Sequence, residues 1–211
     1  MKGPDSTTYI ALVNTAFNDD VEKTEKVSYN STIDVQFGIY RTGFYQGWLT
    51  VNLKPSHGGV DWKINVKCWP ASTPYGKAHA GYWGEFEKYK DDLLEKIERH
   101  FAESRGTGIL LVGRSKGAAE AEMLAPLIRD RVTGVICLGA IEPPKCVDKE
   151  YAEEIQNSCT SALVTCYRND IVPGLPFWFE HPFDVWQNGK RRLGLSIKDH
   201  EVATTEKEVW L

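Results

Sequence analysis

The chain has 211 residues, 42% of them hydrophobic and 26% charged, and 25 basic against 29 acidic side chains leave a net charge of −4. This is globular composition, long enough for one domain whose core needs no disulfide or metal staple. The acidic balance gives no electrostatic reason to expect nucleic acid or an anionic membrane surface as partner.

Five cysteines (68, 137, 146, 159 and 166) are scattered without a C-x-x-C pair, and the five histidines do not group at metal-ligand spacings. Neither a disulfide framework nor a metal site is expected, and nothing suggests an organic cofactor. Cys137 and Cys166 sit in apolar runs and read as small buried hydrophobes. The opening Met1-Lys2-Gly3-Pro4-Asp5-Ser6 has no apolar core of a signal peptide, and no apolar run is long enough to span a bilayer. The expectation is a cytoplasmic protein without stable membrane insertion; the oligomeric state is left open.

Residues 7–17 have helical spacing, and residues 18–34 are polar and read as loop. Three β-like runs follow at 35–40, 43–47 and 48–53, and then a stretch rich in Pro, Gly, Ser and Lys, 54–78, reads mostly as loop. Phe86, Tyr89, Leu93, Leu94, Ile97 and Phe101 recur at steps of three and four, which predicts one amphipathic helix of about 24 residues. Ile109–Val112 is an apolar run between glycines and fits a buried parallel strand. A turn over 113–117, a helix over 118–131, a strand over 132–138, a helix over 148–157 and a strand over 161–167 complete the pattern. Such alternation predicts an α/β fold with a mostly parallel central sheet, helices on both faces and an antiparallel N-terminal edge, as a single domain over 1–211.

The turn reads Gly113-Arg114-Ser115-Lys116-Gly117, a G-x-S-x-G between a buried strand and an Ala-rich helix. That is the setting of a nucleophile elbow, which points a serine Oγ away from the sheet and brings helix N–H groups towards a developing oxyanion. A serine hydroxyl needs a base and an orienting acid. After Ser115 only His181 and His200 remain as bases, and Asp148 and Asp170 both follow predicted strands. Topology favours Asp170, which comes directly after the strand at 161–167.

Several of these pieces resemble the class 3 (fungal-type) lipases of the α/β-hydrolase superfamily. Asn169-Asp170-Ile171-Val172-Pro173-Gly174-Leu175-Pro176 is similar to that family's acid segment, and His181 and Trp186 follow it in the family's order. His79-Ala80-Gly81-Tyr82 resembles the family's lead into the helix before the elbow, and Asp61-Trp62 its D-W pair, five residues after Ser56. The resemblance implies Ser115 as nucleophile, Asp170 as acid and His200 as base, with His181 matching a different histidine. It further implies Ser56 and the backbone of Lys116 as oxyanion-hole donors. Arg114 stands where the family usually has His, Ala118 where a third Gly is common, and Lys54-Pro55 replace Arg-Gly before Ser56. The Lys116 side chain reads as solvated or as a contact for a substrate carboxylate. Trp62, Trp69, Trp83 and Trp178 are candidates for acyl-pocket walls, with core packing as their ordinary role.

The implied activity is that of a serine ester hydrolase, an esterase or lipase acting on small acyl esters or lipids through an acyl-enzyme. The short stretch 57–78 leaves room for only a minimal lid, which favours soluble or modest acyl chains. Two alternatives stay open: a catalytically weak or inactive binding protein on the same fold, and an acyltransferase using the same triad.

Overall fold

The computed structural model describes residues 21–29, 33–42, 45–55, 67–105, 107–167 and 170–188. A 7-stranded sheet has the order β1-β2-β3-β6-β7-β8-β9. Its strands are β1 (Val21–Tyr29), β2 (Ile33–Tyr40), β3 (Leu49–Pro55), β6 (Gly108–Arg114), β7 (Val135–Ile141), β8 (Ser161–Tyr167) and β9 (Val185–Asn188). The first three are antiparallel, and β3, β6, β7, β8 and β9 run parallel to one another. A separate antiparallel hairpin joins β4 (Pro70–Thr73) to β5 (Gly76–His79). The helices are α1 (Ala80–Phe86), α2 (Lys90–Glu103), α3 (Lys116–Arg129) and α4 (Lys149–Ser158).

The mostly parallel sheet with an antiparallel N-terminal edge follows the expectation. Alternation along the strands divides the core. Ile109, Leu111, Ile136 and Leu138 join buried side chains from all four helices in one large cluster. Leu110, Val112 and Cys137 point the other way, to a smaller cluster with Val21, Tyr40, Trp48 and Ile141. Among the described residues, helices therefore contribute to one face; the expected helix over 7–17 lies outside them.

Local differences have local causes. The polar stretch 18–34, expected to be loop, contains β1, whose polarity is that of an edge strand: Glu22, Lys23 and Lys26 are exposed, and a bulge lies between Lys23 and Glu25. Residues 45–47 form a turn rather than a strand, with Gly47 at φ 85. Part of the stretch expected to be loop is the β4–β5 hairpin, where Gly76 sits at φ 144. The single helix expected from residue 80 is two: Glu87–Tyr89 break it, and Tyr89 turns inward to stack on Tyr29 with ring centroids 4.4 Å apart. Its apolar period survives because both pieces pack on the same cluster. Cys137 is buried as expected, whereas Cys166 is only partly so. No described helix is long and apolar enough to cross a membrane.

Candidate active site

Parallel strands place their carboxyl ends together, and the site is built there. Gly113 pairs with Leu53 across β3 and β6, Arg114 with Ile141 across β6 and β7, and Ile141 with Thr165 across β7 and β8. The residues just beyond these pairs, Lys54, Ser115, Glu142 and, three residues past β8, Asp170, gather at one rim of the sheet.

Ser115 occupies φ 49, ψ −123, at the N-cap of α3. This conformation is costly for a residue with a Cβ and persists only where the surroundings enforce it. They do so visibly. The Ser115 N–H donates to the Ile141 carbonyl at 2.8 Å, and the Ser115 carbonyl accepts from Ala118 and Ala119 in the first turn of α3. A Cβ on Gly113 would lie 2.2 Å from the Gly117 carbonyl oxygen, and one on Gly117 would lie 2.3 Å from the Leu53 carbonyl oxygen. Both glycines are thus needed for helix, turn and strand to approach this closely. Ala118 packs its methyl group against Ala140 and Val164.

The Lys116 side chain differs from the solvated one expected from sequence. It is largely buried, and its Nζ lies 3.6 Å from the Glu120 carboxylate. Glu120 is fully buried on α3 and its pKa is raised to about 7, because burial disfavours the charged form more than Lys116 favours it. Glu122 is buried as well; burial raises it to about 8 against the weak Cys146 thiol contact at 3.6 Å. The i,i+4 spacing of Lys116 and Glu120 was the available signal for this pairing.

Asp170 is buried, and its Oδ1 accepts from the Val172 N–H at 2.9 Å, which fixes the turn leading into Pro173. Asp148, the other acid considered, is the N-cap of α4 and accepts from the Tyr151 N–H at 3.0 Å. His181 is tied to structure: its Nε2 lies 2.6 Å from the Pro173 carbonyl, to which it donates, and burial lowers its pKa despite that bond. His79 caps α1 by accepting from Gly81 and Tyr82 through Nδ1, which places its proton on Nε2.

Trp83 is 4% exposed and meets Phe86 and Tyr151 edge-on, so its place is in the core rather than on a pocket wall. Trp69 and Trp178 are 57% and 52% exposed, and the Trp178 indole donates to the Cys68 carbonyl at 2.9 Å, which brings the two segments together. Ser56, Trp62 and His200 lie outside the described residues.

One buried charge at this rim escaped sequence reading. Glu142 follows β7 directly, is 1% exposed and takes φ 53; its Oε2 lies 3.3 Å from Arg114 Nη2. The signal was an acid at a strand end, in Ile141-Glu142-Pro143-Pro144. A separate cleft of about 260 Å³, lined by residues that include Tyr40, Arg41 and Thr107, lies by the start of β6, at the other end of that strand from Ser115.

The family model described as lipase (class 3) matches residues 50–180. Among solved structures, a Rhizomucor miehei lipase in complex with its propeptide is 17% identical with a TM-score of 0.68, covering 87% of this chain and 68% of its own. A mono- and diacylglycerol lipase from Aspergillus oryzae is 18% identical with a TM-score of 0.66, covering 85% of this chain and 68% of its own. A triacylglycerol lipase, described as having a serine-protease triad as its catalytic centre, is 16% identical with a TM-score of 0.70 and covers 88% of this chain and 80% of its own. At these identities the likeness is one of fold. Among curated proteins, none matches the sequence.

Proposed function

The chain belongs to the class 3 lipase family and is a lipase-like ester hydrolase, and we propose that it cleaves carboxylic acyl esters through Ser115, His200 and Asp170 by way of an acyl-enzyme. The observation that carries this reading is the backbone of Ser115, held at φ 49 between β6 and α3 inside the matched segment. A serine kept in that conformation presents its Oγ at the sheet rim, where a substrate carbonyl can approach.

In the proposed cycle Ser115 Oγ attacks the acyl carbonyl while His200 takes its proton. The tetrahedral intermediate collapses as His200 returns that proton to the departing alcohol. Water then attacks the acyl-enzyme by the same route, releasing the acid and restoring Ser115. Asp170 holds the imidazole tautomer and balances the imidazolium. The Lys116 N–H, at the positive end of α3, and Ser56 are the proposed oxyanion donors, each of which contributes roughly 10²–10³ in kcat at such sites. Trp69 and Trp178 offer an exposed apolar surface to the acyl chain, and short or soluble acyl esters are the proposed substrates.

The test is covalent labelling by a fluorophosphonate probe together with hydrolysis of p-nitrophenyl esters. Labelling of the unmutated protein, its loss in Ser115→Ala and its strong reduction in His200→Ala are expected, while His181→Asn keeps it. Labelling that survives Ser115→Ala would refute the nucleophile. Failure of the unmutated protein to react would favour a binding protein on this fold.

A further inference from the structure

The sheet face that takes none of the described helices gathers cations towards the end where Ser115 stands. Strand register fixes which side chains share that face. Val21 pairs with Tyr40, and both belong to the smaller cluster away from the helices. Lys23 pairs with Gly38 and Lys26 with Gln36, in step with Tyr40, so both lysines project from the same side. Residues three apart on a regular strand point to opposite faces. The bulge between Lys23 and Glu25 is what brings these two together.

Asp34 continues the row on β2 and pairs directly with Lys54 on β3. Leu53 pairs with Gly113, so the next residues, Lys54 and Arg114, share one side of adjacent parallel strands. Four cations thus gather around two carboxylates, in a chain whose net charge is −4. Both carboxylates are engaged. Asp34 accepts from the Ser28 hydroxyl at 2.6 Å and pairs with Lys26 at 2.9 Å. Glu142 pairs with Arg114 at 3.3 Å.

Lys54 is where these charges bear. Partial loss of water around its ammonium group lowers its pKa, and Lys23, Lys26 and Arg114 lower it further, while Asp34 acts the other way. A cation under that pressure gains from an anion that reaches it, and the Lys54 residue is exposed. Neighbouring strands lie about 4.8 Å apart, which sets the Cα atoms of Lys54 and Ser115 roughly 6 Å from one another along the rim. A short linker therefore spans from a carbonyl at Ser115 to the lysine.

We propose that this corner is an anion subsite: Lys54, with Arg114 beside it, receives a carboxylate or phosphate carried by the substrate, so that the enzyme selects esters bearing a negative charge besides the scissile group. This rests on the reading of Ser115 as nucleophile and names the substrate class for it.

Two ester pairs test the subsite and separate a charge on the acyl side from one on the alcohol side. p-Nitrophenyl hydrogen adipate is compared with p-nitrophenyl hexanoate, and the butyrate of 5-hydroxy-2-nitrobenzoate with that of p-nitrophenol. Within each pair the ratio of kcat/KM, anionic over neutral, cancels what a variant does to the common chemistry. In at least one pair Lys54→Gln should lower this ratio about three- to tenfold, and Lys54→Arg should restore it. Asp34→Asn removes the anion facing Lys54 and should raise it. Added salt, about 0.5 M, should bring the unmutated protein towards the Lys54→Gln ratio. Lys149→Gln, whose side chain on α4 is 86% exposed, should leave the ratio unmoved. Ratios that Lys54→Gln leaves unchanged in both pairs, or that Lys149→Gln lowers as much, overturn the subsite while hydrolysis of the neutral esters and labelling of Ser115 stand. A protein that neither labels nor hydrolyses any of the four esters loses the nucleophile and the subsite with it. Should Asp34→Asn fail to fold by circular dichroism, the Lys54 variants and the salt dependence decide the matter.

Discussion

Replacing Ser115 by glycine should make the protein more stable than replacing it by alanine. Both variants lack the hydroxyl, so the comparison isolates the Cβ in the conformation φ 49, ψ −123. A side chain held in so sparsely populated a region costs about 1–3 kcal/mol. Against this stands the greater freedom of glycine in the unfolded chain, about 0.5–1 kcal/mol. Glycine also serves better than alanine at an N-cap, which is where Ser115 stands. The balance favours the glycine variant by about 0.5–2 kcal/mol, and each kcal/mol is worth about 2–4 °C in Tm for a chain of this size. Urea unfolding of the two variants, with equal slopes against denaturant, measures the difference directly. A Ser115→Gly protein no more stable than Ser115→Ala would refute the idea that strain is stored at the elbow.

Other expectations follow from neighbouring geometry. Gly117→Ala drives a methyl group to within 2.3 Å of the Leu53 carbonyl oxygen and should destabilise by about 1–3 kcal/mol while slowing probe labelling; Gly84→Ala, in α1 with nothing within 4 Å, should instead stabilise by about 0.5–1 kcal/mol in the same unfolding assay with labelling unchanged. Asp148→Ala removes the cap of α4 and should lower stability by about 0.5–2 kcal/mol without affecting labelling, whereas lost labelling in a folded variant would return Asp148 as a candidate acid. Glu122 titrates near about 4.3 when unfolded and at about 8 when folded. Across that interval the folded chain holds a proton that the unfolded chain has released, so this group's share of stability falls as pH rises through it. Glu122→Gln should therefore gain more over the unmutated protein at pH 8 than at pH 5, and an equal difference at both would count against a protonated Glu122.

Much of the fold was legible because apolar runs and glycines report burial directly. Ile109–Val112 and the run through Cys137 are strands whose surroundings leave no room for polar residues. What was missed had polar sequence and a structural cause outside it. The β1 strand exists because β2 pairs with it, not because its own residues favour burial. The break at Glu87–Tyr89 left the apolar period intact, so periodicity could not reveal it. At the site, the elbow was readable because its glycines sit beside the serine in sequence. The Arg114–Glu142 contact was not, since its partners are 28 residues apart and meet only through the pairing of β6 with β7.

The two outer strands of the described sheet bear on how the molecule behaves among its own copies. An outer strand is a template for further pairing unless something blocks it. On β1, exposed Glu22, Lys23 and Lys26 and the bulge before Glu25 would set charged side chains and a distorted ladder against any second copy. On β9 the protection is brevity, four residues, but Trp186 stands 49% exposed upon it. If strands of separate molecules ever join when the protein is concentrated or partly unfolded, β9 is the more permissive side, and a lysine at position 186 is the change that would discourage it.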